Sequence, residues 1–216
     1  MPLQQDLYQI ADELRAIASQ GLIFTEGPYD KERYEKILQV SARIVAALEE
    51  SSPDEIFTRF HENLFHVSAI ACVDAVVFRE GKILLIQRKD NGLWALPGGL
   101  AEVGETPAEA VERELWEEAG VRGKATRLLG VYDSHRWQPK TRMQLYILLF
   151  QVETSENPTL HEPGAETHAS FHETLDVGFF EENRLPPLHR GHDLRVPMVF
   201  QMLRGEVPIP YFDKSE

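Results

Sequence analysis

GLAEVGETPAEAVERELWEEAGV, residues 99–121, is the stretch from which the rest of the chain is read. Thr106 suits a helix N-cap, Pro107 suits the first helical position, and Glu109 completes a capping box three residues after the cap. Gly120 stands where a C′ glycine ends a helix. Ala108, Val111, Leu115 and Ala119 recur at spacings of three and four, which makes them the face turned towards a core. Glu114, Glu117 and Glu118 fall at i, i+3 and i+4 and are neighbours on the helix surface. Like charges so placed cost about 0.2–0.5 kcal/mol per pair, and burial raises the cost. At about 100° per residue, Glu118 lies at the edge of the apolar stripe, with Glu114 next along that edge. An acidic, solvated helix is the plain reading of three glutamates. A divalent cation is the other, because hard oxygen ligands suit Mg²⁺ and a shared ion turns repulsion into attraction.

Spacing separates the two readings. Gly99, Glu105, Arg113, Glu114, Leu115, Glu117, Glu118, Gly120 and Val121 fit the pattern G-x5-E-x7-R-E-U-x-E-E-x-G-U, with U aliphatic. This window resembles the signature of the Nudix hydrolases, and a looser likeness runs from Ala71 to about Leu203. The resemblance implies an α/β protein built as an α/β/α sandwich with a mixed sheet, and hydrolysis of pyrophosphate bonds with Mg²⁺, for which Mn²⁺ may substitute. It implies that Glu114 and Glu118 are direct metal ligands and that the carbonyl of Gly99 is the loop ligand. Glu117 is implied to share the metal or to stand behind the direct ligands. Glu105 and Arg113 become the supporting ion pair of the catalytic loop, a structural role. The general base is left open between a motif glutamate such as Glu117 and a later acid, Glu162, Glu166 or Glu173. Glu173 is favoured, because similar pyrophosphatases place such an acid just before the strand expected at Val177–Phe180; a solvated loop carboxylate is the alternative.

Around this centre, strands are expected at Ala71–Phe78 and Ile83–Gln87 as a hairpin-like pair, then at Leu128–Tyr132, Met143–Val152 and Val177–Phe180. The segment from Asp193 to Leu203 reads as a closing helix with Pro197 inside it. Glu153 to Glu173 reads as a long loop. Arg88, at the end of a strand, and His135, Arg136 and Trp137 are candidate substrate contacts, the cations for phosphate and the indole for a base. A surface ion pair for Arg88 and packing for Trp137 are the alternatives. Trp94 reads as core, and His189, Arg190 and His192 as residues that cap or solvate the last helix.

Residues 1–66 read as a separate helical domain before a catalytic domain at 67–216. Leu3, Leu7, Ile10, Leu14 and Ile17 make an amphipathic helix that Gly21 would end. Asp30 can cap a second helix with the stripe Tyr34, Ile37, Ser41, Ile44 and Leu48, and Ser52–Glu55 reads as a capping box for a third. Three helices make a thin core, so their stripes must pack on the catalytic domain or on a second chain. A homodimer is favoured.

The chain has 216 residues, a formal net charge of -13 and one cysteine. The acidic balance argues against DNA and long RNA, which need a basic surface, but not against a small nucleotide whose charge a metal neutralises. Cys72 fits a reducing compartment, and the absence of a signal peptide or membrane-length apolar run points to the cytoplasm. A helical section ahead of this signature resembles the bacterial hydrolases of nucleoside diphosphates linked to a moiety X, which act on ADP-ribose or CDP-choline. Asp133–His135 and the run Leu185–Leu188 carry that likeness, while Arg136-Trp137 departs from the group's more polar pattern. The rivals are a nucleoside triphosphate or RNA 5′ pyrophosphohydrolase and a Nudix-fold ligand sensor. Every motif glutamate is present and no basic recognition helix is evident, which counts against the sensor.

Overall fold

The computed structural model describes residues 3–64, 68–137, 144–159 and 173–215. Glu162, Glu166 and Met143 lie outside them. The chain forms two compact units, one of residues up to Ala69 together with Gln144, the other of the remaining described residues from Ile70 on.

The first unit holds three helices, α1 (Leu3–Phe24), α2 (Pro28–Glu49) and α3 (Pro53–Glu62). Small residues line the α1–α2 contact. Ala11, Ala18, Ser41, Ala42 and Ala46 are buried, and Ser41 Oγ donates to the Ala11 carbonyl at 2.7 Å. Gly21 belongs to the same close approach, since a Cβ there would strike the Tyr34 ring. It therefore does not end α1, which continues to Phe24. Pro28 occupies the first turn of α2 behind an N-cap at Gly27, so Asp30 is a first-turn acid, paired with Arg33 at 3.0 Å, and not the cap. Ser52 caps α3 by position, but its side chain makes no cap hydrogen bond. The large aliphatic stripe of α1 is turned outward: Leu3 is 75% exposed, Ile10 46% and Ile17 55%.

The second unit has two sheets. In the first, β5 (Gly98–Leu100), β1 (Ile70–Val76), β7 (Leu145–Glu153), β6 (Lys124–Asp133) and β9 (Tyr211–Phe212) lie in that order. β1 runs parallel to β7 and antiparallel to β5. In the second sheet, β3 (Lys82–Arg88) pairs with β2 (Phe78–Arg79), β4 (Trp94–Ala95) and β8 (Thr174–Glu181). The hairpin expected between residues 71 and 87 is thus reduced to β2 and β3. β1 takes its partners from the other sheet, because its apolar residues are buried on both faces, as suits a strand flanked on both sides.

Alternation along the strands sorts the core into two layers. Val73, Ala75, Leu84, Ile86 and Val152 pack with Val111, Leu115 and Ala119 of helix α4 (Pro107–Ala119). Val76, Ile83, Leu85, Ile147 and Leu149 pack with Val196, Val199 and Phe200 of helix α6 (His192–Leu203), which holds Pro197 internally. A short helix, α5 (Ser134–Trp137), follows β6. Helices on both faces of a mixed sheet make this an α/β/α sandwich, with a helical region ahead of it. Among the described residues no helix is long and apolar enough to cross a membrane.

Candidate active site

The capping box that starts α4 is complete. Thr106 Oγ1 accepts from the Glu109 N–H at 3.3 Å, and Glu109 Oε2 accepts from the Thr106 N–H at 2.8 Å. Gly120 ends the helix in the left-handed conformation. With both ends set, Glu114, Glu117 and Glu118 face inward and are all buried, at 8%, 3% and 7% exposure. Ala110 is buried on the same helix, while Ala108 is only partly so.

One guanidinium answers most of this charge. Arg113 holds Glu105 with two hydrogen bonds, Nε to Oε1 at 2.7 Å and Nη2 to Oε2 at 3.1 Å. Its Nη1 reaches Glu114 Oε1 at 3.0 Å and Glu117 Oε2 at 3.2 Å, and its Nη2 also donates to the Leu100 carbonyl. The pair therefore ties the 100–105 loop to the helix and to two of the buried acids. Arg113 holds the Glu105 carboxyl below its ordinary value, whereas burial pushes Glu114 up.

Glu118 lies apart from Arg113. Its Oε2 accepts from the Gly98 N–H at 2.7 Å, and burial, with the charges of Glu114 and Asp74, raises its pKa to about 8. The two loop glycines make room on opposite faces. A Cβ on Gly99, opposite Val73 on the α4 side, would come within 2.5 Å of Glu114 Oε1. A Cβ on Gly98, opposite Asp74 on the α6 side, would strike the Val73 carbonyl first and come within 2.7 Å of Asp74 Oδ1. The loop is stitched to β1 on either side, by Ala75 N–H to the Pro97 carbonyl at 2.8 Å and Ala101 N–H to the Ala71 carbonyl at 3.2 Å.

A cavity of about 340 Å³ opens beside Glu118, lined also by Arg88, Lys89, Asp90 and Glu173. Arg88 makes a two-point pair with Asp90, at 3.1 and 2.9 Å, and Lys89 N–H donates to the Glu173 carbonyl at 2.8 Å, so the end of β3 holds the start of β8. Lys89 and Asp90 were not picked out by sequence reasoning; their only signal is their place between Arg88 and the Asn91-Gly92 turn.

The three α5 candidates line no part of this cavity. Trp137 packs edge-on against Tyr132 with ring centres 5.1 Å apart, and its indole N–H donates to Asp213 at 2.9 Å. Arg136 Nη1 donates to the Lys214 carbonyl at 2.8 Å, and the His135 N–H donates to Asp133 Oδ1 at 2.9 Å. Trp94 is partly buried, edge-on to Phe180 at 4.7 Å. His192, read above as a cap or solvated residue, is instead buried, and its Nδ1 accepts from the Leu96 N–H at 3.2 Å. Burial holds its pKa well below the ordinary histidine value.

Among the described residues no three His, Cys, Asp or Glu side chains already converge as a finished metal cage. Glu114 and Glu117 are drawn to Arg113 instead. The donor chemistry nonetheless fits a hard divalent ion: every candidate is oxygen, three carboxylates share the Arg113 guanidinium, and Glu118 accepts from a backbone N–H.

Residues 69–197 match the NUDIX domain, and residues 5–60 match the UDP-X-like N-terminal oligomerisation domain. YjhB of Bacillus subtilis (strain 168), provisionally named an ADP-ribose pyrophosphatase, is 38% identical over 94% of this chain and 95% of its own. The ADP-ribose pyrophosphatase of Methanocaldococcus jannaschii is 38% identical over 56% of this chain and 67% of its own length. The crystal structure of a UDP-X diphosphatase superposes with a TM-score of 0.59 at 26% identity, covering 97% of this chain and 99% of that one. With the glutamate helix, its capping box and its arginine clamp all in place, the chain belongs to the Nudix family, as a hydrolase of pyrophosphate bonds.

Proposed function

We propose that the protein hydrolyses the pyrophosphate bond of a nucleoside diphosphate linked to a second moiety, with ADP-ribose as the first candidate and CDP-choline as the second. Nucleoside monophosphate and the phosphorylated second moiety are the products. The observation that carries this reading is the shared cavity. Glu118, buried in the motif helix, and Glu173, at the start of β8, open onto one space beside Arg88 and Lys89. YjhB, which matches over 94% of this chain and 95% of its own length, is provisionally named for ADP-ribose, which supports the choice of first substrate.

The pyrophosphate link carries two negative charges that repel a nucleophile, so the site must neutralise the phosphates and hold a water in line. Glu114 and Glu118, with Glu117 and the Gly99 carbonyl, would hold Mg²⁺ or Mn²⁺, which when bound screens the phosphates and lowers the pKa of bound water. Arg113 keeps Glu114 and Glu117 in place and braces the loop through Glu105. Glu173 takes the proton of the attacking water as its oxygen bonds to one phosphorus. The bridging P–O bond breaks, and its electron pair leaves on the second phosphate. Arg88 faces the phosphates. His135, Arg136 and Trp137 stand outside this proposed site.

The first unit is assigned to pairing two copies in a homodimer. Leu3, Leu7, Ile10, Leu14, Ile17 and Phe24 fall on a repeat of four and three along α1, and Leu3, Ile10, Ile17 and Phe24 are exposed. The match to an oligomerisation domain supports this use of the stripe.

Four outcomes are expected. With Mg²⁺, ADP-ribose yields AMP and ribose 5-phosphate, identified by mass, and Glu118→Gln lowers kcat by at least about a hundredfold with the fold intact by circular dichroism. A Glu118→Gln enzyme at wild-type rate contradicts the metal assignment. Glu173→Gln lowers kcat and removes the acidic limb of the pH–rate profile without changing Mn²⁺ affinity; an unmoved profile removes Glu173 from the role of base. In chelator, the folded protein holds a proton on Glu118 where the unfolded chain does not, so this group stabilises at low pH. That contribution is lost as pH rises from the ordinary carboxyl value of 4.5 towards about 8. Thermal melts should accordingly fall across that interval, and less so in Glu118→Gln. Finally, Ile10→Glu combined with Ile17→Glu should convert a dimer to a monomer by light scattering; an unchanged mass rejects the α1 seam.

A further inference from the structure

A buried polar chain crosses the α6 side of the catalytic unit, behind the loop that carries Gly98 and Gly99, and the reaction above makes no use of it. Arg195 of α6 is 1% exposed. Its Nη2 donates to Asp74 Oδ2 at 2.8 Å, and Asp74, in the middle of β1, is buried as well. Nε and Nη1 of Arg195 have no hydrogen-bond partner among the described residues. His192 lies 3.3 Å from the same Nη2. Its Nδ1 already accepts from Leu96, so a neutral ring carries its proton on the nitrogen facing Arg195, and that approach is contact rather than a hydrogen bond. Among the described residues one carboxylate is therefore the only acceptor for a fully buried guanidinium.

Such a pair is a poor source of stability. Two charges leave water, two of the three guanidinium nitrogens are left unsatisfied, and apolar residues of similar volume would serve the core as well or better. Its effect is in where it puts the neighbouring loop. Beside the Val73 carbonyl, which a Cβ on Gly98 would meet first, Asp74 Oδ1 closes the same space at 2.7 Å, and the Gly98 N–H donates the hydrogen bond that holds Glu118 at 2.7 Å. His192 fixes the same loop two residues earlier, at Leu96. The chain of contacts thus runs from α6 through β1 to the carboxylate on α4, across both layers of the core.

We propose that Asp74 and Arg195 are positioning residues for the metal site: by holding the Asp74 carboxylate against Gly98, the pair sets the direction of the N–H that orients Glu118. The proposal rests on Glu118 being a metal ligand. It separates stability from metal binding, which a merely structural ion pair would not do.

The test replaces both charges at once, Asp74→Leu with Arg195→Met, so that neither is left buried alone. Thermal melting and Mn²⁺ binding by electron paramagnetic resonance are measured on metal-free full-length protein, beside wild type and Glu118→Gln. The double variant should melt at or above the wild-type temperature yet bind Mn²⁺ about tenfold more weakly or worse, the usual effect of losing a group that orients a ligand. Wild-type Mn²⁺ affinity in a folded double variant, with Glu118→Gln weakened, overturns the positioning role and leaves the metal assignment standing. Equal affinity in wild type and Glu118→Gln overturns both. Should the double variant not melt cooperatively, Arg195→Lys decides. It keeps the charge and loses the planar fork, so weakened Mn²⁺ binding at an unchanged melting temperature supports the role, and unchanged binding overturns it.

Discussion

More negative charge is buried on one turn and a half of α4 than the protein's own cations neutralise, and the catalytic unit is arranged around that imbalance. Arg113 meets Glu105, Glu114 and Glu117 together, and Glu118 is left with a single backbone N–H. Burial raises the Glu118 pKa to about 8, because little around it supports its charge. A site that holds carboxylates at this cost is built to receive something positive.

Three pieces of secondary structure share the task. The capping box and Gly120 fix the length of α4 and so the turn on which the acids stand. β1 holds the Gly98–Leu100 segment as a neighbouring strand, with Gly99 leaving space for the Glu114 carboxylate and Gly98 for the Val73 carbonyl and the Asp74 carboxylate. β3 and β8 then bring Arg88 and Glu173 to the open side. The proposed hydrolysis needs an acidic metal site beside a place for phosphates, and this juxtaposition is what supports it.

How much of this was legible beforehand depended on the range of the interaction. Although the caps expected at Asp30 and Ser52 are not formed by those side chains, both ends of α4 and the inward turn of Glu114 and Glu118 follow from neighbours within four residues and were legible in the sequence. So was the Arg113–Glu105 pair, through the motif. Contacts between distant residues were not. Helical periodicity marked the aliphatic stripe of α1 but could not say which surface it meets; the unit closes instead on the small face of Ala11 and Ala18, with Gly21 admitting Tyr34. β1 was read as half of a hairpin because adjacent strands usually pair, yet its partners are β5 and β7. Asp74 gave a fair signal, a charge inside the apolar run IACVDAV, but its partner lies 121 residues away. His192 reads as a surface cap because nothing local shows that the Leu96 N–H, 96 residues away, donates to its ring.

The central claim is that the acids of α4 are tolerated because they share a divalent cation. A crystal grown with Mn²⁺, examined by anomalous diffraction, tests it most directly. An anomalous peak within bonding distance of Glu114, Glu118 and the Gly99 carbonyl is the expected result, with Glu114 drawn away from Arg113. No peak there at saturating Mn²⁺, with Glu114 and Glu117 still held on the guanidinium, would contradict the account.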